Sequence, residues 1–335
     1  MTAYDFVAVG DITTDAFIKL KEASVHCDVN RGTCQICMDF AAKVPYESVT
    51  VVPAVGNSPN AAVAAARLGL NSALVTNLGD DYHGEEARTA LNHNQVSLDF
   101  VTSHPGQKTN YHYVLWYDDD RTILVKHEEY PYSWPSQLIT SEPSWIYLSS
   151  MGPSSLPFHN TIADYLDAHP EVQLAFQPGT FQINAGINQL ERIYERTGVF
   201  FCNVEEAQKI LGQTKAGDQD IKTLLKKIAE LGPKIVVITA GPEGAYAYDG
   251  KETWFIPRYP DPKAPYERTG AGDAFASTFT VALALGEPVE RALAWGPINS
   301  MSVVQKIGAQ AGLLTRPQLE DLLTNAPADY QPRKI

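Results

Sequence analysis

The chain has 335 residues, 44% of them hydrophobic and 19% charged. It is long enough to bury a substantial core, and no apolar run approaches the roughly 20 residues of a membrane-spanning helix, which excludes integral membrane and disordered classes. With 26 lysines and arginines against 39 aspartates and glutamates, the net charge of −13 opposes nucleic acid and anionic lipid as partners.

Four cysteines in a chain of this size, with Cys202 inside an apolar run, point to a reducing compartment. No basic leader precedes the first apolar run, so no signal peptide is expected and the protein is read as cytoplasmic.

Along the chain, short apolar runs alternate with segments of helical period. Tyr4 to Gly10 reads as a strand, a helix lies near Pro59 to Leu68, Ser72 to Gly79 is a strand, and a helix follows near His83 to Asn94. The alternation resumes with strands at 145–150, 173–177, 199–203, 234–239 and 245–249. This is the pattern of βαβ units: a three-layer α/β domain with a mostly parallel sheet and helices on both faces. Two segments break it, about 15–52 and 108–127. The second reads as a hairpin about an acidic turn, and neither holds a crossover helix. They predict a small β-sheet lid attached to a single domain of residues 1–335, over a site at the C-terminal edge of the main sheet.

Glu267 to Gly286 carries the most chemistry. From Ala274 to Gly286 there is no charge, so a helix buried on most sides starts here, with Asp273 in its first turn. Gly270, Ala271 and Gly272 are small enough for backbone N–H groups to approach an anion at the helix N-terminus. A carboxylate beside a bound phosphate is poorly suited to hold it but well suited to take a proton from an attacking hydroxyl. Read alone, GAGD is equally a glycine turn with a dipole-favoured aspartate.

ERTGAGDAFAS closely resembles the C-terminal signature of the ribokinase-like (PfkB) carbohydrate kinases, D-T-x-G-A-G-D. The stretch VGNSPNAAVAAARLGLNSALVTNLGDDYHGE, Val55 to Glu85, resembles the N-terminal signature. GDITTD, NVEE and TAGPEG resemble further family motifs, in family order. The resemblance implies a ribokinase-like fold and an ATP- and Mg²⁺-dependent kinase acting on a hydroxyl of a small ribose- or fructose-like sugar. A nucleoside kinase and a non-catalytic ligand-binding relative are the alternatives on the same fold. A dinucleotide oxidoreductase is rejected, since no G-x-G-x-x-G follows the first strand.

By the same resemblance Asp273 is the catalytic base and Gly270, Ala271 and Gly272 form the anion hole. Asp15, Gly56, Asn57 and Asn60 face the sugar; the family's first glycine is Val55 here, and Asn57 stands where lysine is often found. Asn203, Glu206, Thr239, Gly241, Gly244, Thr269 and Asn299 lie on the nucleotide side, with Glu206 reaching Mg²⁺ through water. Asn203 and Glu206 also read as a helix capping box, and the glycines of TAGPEG as a plain turn. Many family members bind a monovalent cation through the first Asp of the signature, here Glu267, with carbonyls of Lys306 to Gly312 as further ligands.

His26, Cys27, Cys34 and Cys37 are raw material for a structural zinc. Arg121 and Lys108 are the lid's basic candidates for a phosphorylated acceptor. Tyr111, Tyr113, Trp116 and Tyr117 read as lid packing or as the surface of a homodimer formed through the lid.

Overall fold

Short apolar runs become strands and the longer periodic segments become helices; the computed structural model describes residues 4–28, 33–118, 120–212 and 220–335. The strands are β1 (Phe6–Val9), β2 (Thr13–Leu20), β3 (Ser24–Asp28), β4 (Thr33–Cys37), β5 (Tyr46–Val55), β6 (Ser72–Gly79), β7 (Val101–His104) and β8 (Tyr111–Tyr117). They continue with β9 (Asp120–Leu124), β10 (Trp145–Leu148), β11 (Gln173–Phe176), β12 (Val199–Asn203), β13 (Ile235–Thr239), β14 (Ala245–Tyr248), β15 (Thr253–Ile256) and β16 (Arg333–Lys334).

A ten-stranded sheet has the order β16-β15-β14-β13-β12-β11-β10-β1-β6-β7. It is parallel from β7 to β13 and antiparallel at the β14–β16 edge. Parallel strands covered on both faces read as unbroken apolar runs rather than alternating ones. In β1, Phe6 and Ala8 pack into one core with the helices Asn57–Arg67, Ala271–Ala284 and Val289–Val303. Val7 and Val9 pack into the other, with Leu156–Ala168, Glu191–Arg196 and Ile221–Ala229. This is the three-layer α/β architecture that the alternation predicts, and the ribokinase-like fold that the motif resemblance implies. No helix among the described residues is long and apolar enough to cross a membrane.

The segments without crossover helices build a second sheet of order β5-β2-β8-β9. Parallel pairing of β2 with β8 sets Asp15 opposite His112 and joins parts of the sequence about a hundred residues apart, while β8 and β9 form the expected hairpin. Because side chains alternate across a strand, Asp15, His112, Arg121 and Ile123 face the cavity below and their neighbours face away.

The zinc expectation is overturned. β3 and β4 form a separate hairpin in which Cys27 and Cys34 stand directly opposite and join as a disulfide. Cys37 is a free thiol and His26 bonds the Ser24 hydroxyl at 3.2 Å. Among the described residues no group of three or more His, Cys, Asp or Glu is gathered to hold a metal. Direct opposition in the hairpin register lets the two sulfurs satisfy each other.

Candidate active site

The site begins with a turn that only glycine makes easily. Gly270 adopts φ +81° and caps the Ala271–Ala284 helix, and a Cβ there would fall 2.2 Å from that of Ala309. The first helical turn leaves the N–H groups of Gly272 and Asp273 without intrahelical partners. Nothing lies within 4 Å of where a Cβ on Gly272 would stand, so this turn is open to a ligand.

Asp273 is held by three amides. Its Oδ1 accepts from Asn57 Nδ2 at 2.7 Å and from Gln177 Nε2 at 3.1 Å, and its Oδ2 accepts from Asn60 Nδ2 at 2.8 Å. Two of these amides are themselves oriented: Tyr147 Oη donates to Gln177 Oε1 at 2.5 Å, and Gln310 Nε2 donates to Asn60 Oδ1 at 3.0 Å. Burial pushes the Asp273 carboxyl above its ordinary range; the bonds from Asn60, Gln177 and Asn57 pull it back, and the charge of Asp15 adds to the rise. A carboxylate so fixed can accept a proton from a hydroxyl brought to it.

A cavity of about 700 Å³ opens at the C-terminal ends of the parallel strands, beneath the lid sheet. Asp15, Gly56, Asn57, Asn60, Asn203, Glu206, Thr239, Thr269, Gly270, Gly272 and Asp273 all line it. Asp15 is 7% exposed, its Oδ1 lacks a hydrogen-bond partner and lies 3.5 Å from His112 Nδ1. Gly56 holds φ +122°, where a Cβ would meet the Asp11 carbonyl at 2.8 Å.

The lining residues that were not anticipated include Asp11, Gln177 and His127. Asp11 accepts from Tyr132 Oη at 2.9 Å and from the Gly152 N–H at 2.7 Å, with His127 Nδ1 3.4 Å away. Its signal was visible as the other aspartate of GDITTD. Gln177 closes the apolar run QLAFQ, a polar residue at a strand's C-terminal end. His127 carries no such local mark.

Of the two basic lid candidates, Arg121 lines the cavity and Lys108 is exposed elsewhere. Neither Phe17 nor the Tyr111, Tyr113 and Tyr117 side chains contribute to the wall; its apolar part includes Ile123, Val125, Met151 and Phe181.

Asn203 and Glu206 do form the capping box of the Val204–Ile210 helix, with reciprocal bonds of 2.8 and 2.9 Å. They also line the cavity, so the two readings coexist. Burial raises the Glu206 carboxyl, opposed by the Asn203 N–H and reinforced by Asp273.

A second cavity of about 260 Å³ is lined by Gly241, Gly244, Arg258, Tyr259, Pro297 and Ser300, among others. It meets the first at Thr239, Arg268, Gly272 and Phe275. Asn299 is a correction: it is wholly buried, donating to Thr278 Oγ1 at 2.7 Å and accepting from the Leu314 N–H at 2.9 Å. The next residue on the helix, Ser300, faces the cavity instead.

The sequence matches the description "pfkB family carbohydrate kinase" over residues 35–316. A ribokinase of Bacillus subtilis strain 168 is 29% identical over 273 residues, covering 80% of this chain and 87% of that protein. A 5-dehydro-2-deoxygluconokinase of Listeria innocua serovar 6a is 27% identical over 323 residues, covering 87% and 94%. The Arabidopsis thaliana ribokinase complexed with ribose and ATP superposes with a TM-score of 0.79 at 20% identity, covering 96% of this chain and 99% of that one. Fold, site and sequence agree: the chain belongs to the pfkB family of carbohydrate kinases, phosphotransferases that act on a sugar hydroxyl.

Proposed function

We propose that this kinase uses ATP and Mg²⁺ to phosphorylate a hydroxyl of a small ribose- or fructose-like sugar held in the larger cavity. The observation that carries the reading is Asp273, clamped by three amides at the open first turn of a buried helix, where the two cavities meet. The acceptor hydroxyl oxygen attacks the γ-phosphorus, the bond from that phosphorus to the β–γ bridging oxygen breaks, and the hydroxyl proton passes to Asp273.

The acceptor-only carboxylates of Asp15 and Asp11 suit a polyol, and the Asn57 and Asn60 amides orient both acceptor and base. The Thr269–Gly272 turn receives the transferring phosphoryl group, and the cavity beside Gly241 and Gly244 receives the base of ATP. Mg²⁺ supplies charge neutralisation on the phosphates when bound. Glu206 is suited to hold it through water, because the capping box engages one of its carboxylate oxygens and Mg²⁺ keeps much of its own hydration.

A homodimer through the lid belongs to the same reading. Val51, Ala16, Tyr113 and Leu124 are successive partners across the lid sheet, on the face turned away from the cavity. Val51, Tyr113 and Leu124 are 45–51% exposed there, an apolar row that suits a second copy. ATP as donor favours a cytoplasmic location, although the Cys27–Cys34 disulfide is unusual for one.

The test is ADP release with ATP and Mg²⁺ across ribose, fructose, fructose phosphate, a deoxy sugar acid, adenosine and cytidine. A sugar should drive turnover in the wild type and fail to do so in Asp273→Asn. Turnover with only a nucleoside would make the wall of Ile123, Val125, Met151 and Phe181 a base slot. No acceptor-dependent turnover, with ATP still bound, would favour a regulatory binder.

A further inference from the structure

Among the described residues, a cross-strand pair carries the lid onto the segment that leads into the Thr269–Gly272 turn. Trp116 of β8 and Arg121 of β9 stand opposite each other and descend on consecutive residues. The Trp116 ring meets Tyr266 edge-on at 5.1 Å, and Arg121 Nε lies 3.7 Å from Glu267 Oε1. Arg121 Nη1 is also 3.4 Å from Asp120 Oδ1, on an exposed carboxylate.

Glu267 is only 2% exposed, and its Oε1 anchors the turn by accepting from the Thr269 N–H at 2.7 Å and the Thr269 hydroxyl at 2.5 Å. A carboxylate this deep requires a counter-charge. Its Oε2 and the Nε of Arg121 are both buried without a hydrogen-bond partner, and that Nε faces the carboxylate through Oε1 at 3.7 Å.

A monovalent cation does not fit beside this glutamate. The guanidinium already stands against the carboxylate and would repel a second positive charge. In the neighbouring Lys306 to Gly312 stretch, the Gln310 carbonyl is taken by Arg67 Nη1 at 2.8 Å.

We propose that Arg121 is a positioning residue that carries the cation of this site on the lid. Resting on the kinase reading of Gly270 to Asp273, the pair couples lid closure to phosphoryl transfer. When the hairpin is down, Arg121 neutralises Glu267, and Glu267 holds the Thr269–Gly272 turn through Thr269. The transfer then runs without potassium, because the guanidinium already balances the charge of Glu267.

The test has one readout that does not depend on turnover. Thermal unfolding is followed in potassium chloride and in choline chloride at matched ionic strength. The wild type should melt at the same midpoint in both salts, and Arg121→Ala should melt higher in potassium, because the vacated carboxylate then takes the ion. With the acceptor found above, wild-type kcat should not respond to potassium. Arg121→Ala should lose tenfold or more in kcat, with a change of less than threefold in KM for ATP. Potassium or Arg121→Lys should restore part of that loss, and Glu267→Gln should lose rate without any potassium response. A potassium-dependent midpoint or kcat in the wild type, or an Arg121→Ala enzyme of unchanged kcat, would overturn the proposal. Should no acceptor drive turnover, the kinase reading falls, while the salt dependence of melting still tests the Arg121–Glu267 pair.

Discussion

Asp273 is balanced between two effects of opposite sign: burial that resists its charge and three amides that favour it. As a base it works only when ionised, so kcat should be flat at neutral pH and fall tenfold per unit below a midpoint displaced above the ordinary carboxylate value of about 3.9. Gln177→Leu deletes a bond that favours the ionised form, so the acid limb of its kcat profile should move to higher pH; an unmoved limb would remove Gln177 from the site. The same shift has a stability sign. A carboxyl raised in the folded state costs stability once ionised, and the cost disappears as pH falls below the unfolded value. Asp273→Asn should therefore melt no lower than the wild type at pH 7 while losing about 10²–10⁴ in turnover; a large drop in its melting midpoint would make Asp273 structural.

Asp273 was legible in the sequence because its neighbours are unusual: glycines before it and an uncharged helix after it. Asp15, Gly56 and Asn60 were legible as motif positions. Gln177 and His127 were not, since each reaches the site from a segment whose placement depends on the sheet order.

Among the elements, strands and helices followed their periodicities closely, and the failures came where periodicity says nothing about facing. Asn299 lies on a helix buried on nearly every side, and a shift of one residue separates the cavity wall from an interior hydrogen bond. His26, Cys27, Cys34 and Cys37 stood as raw material for a zinc site because spacing alone cannot show that Cys27 and Cys34 fall opposite each other.

The glycine turn gives a sharper test at this scale. Gly270→Ala meets both a left-handed φ and the Ala309 side chain, and should cost about 2–4 kcal/mol by denaturant unfolding. Gly272→Ala meets nothing in the fold but projects into the cavity, so it should keep its stability and weaken ATP binding in calorimetry. Equal stability losses in the two would contradict the division of labour between a turn glycine and a ligand-facing one.

For the whole molecule, the parallel sheet supplies a rigid floor and the lid sheet a roof assembled from two distant segments. The floor was legible from the alternation of apolar runs, and the existence of the lid from its interruption. The parallel β2–β8 pairing that places His112 and Arg121 over the cavity was not, because register across a hundred residues leaves no local trace.

The outward row of Val51, Tyr113 and Leu124 should hold two copies together. Light scattering on the eluting protein should give twice 36.7 kDa, and Val51→Lys with Tyr113→Lys should halve it; a wild-type monomer at assay concentration would exclude the lid dimer.

The most direct measurement is a quenched single turnover with ATP labelled at the γ-phosphate and the sugar selected by the ADP-release panel. In the wild type the label should pass to the sugar, and in Asp273→Asn it should remain on ATP over the same interval. Transfer by Asp273→Asn at the wild-type rate, or label released from the wild type only as inorganic phosphate, would contradict the assignment of this site as a sugar kinase centre with Asp273 as its base.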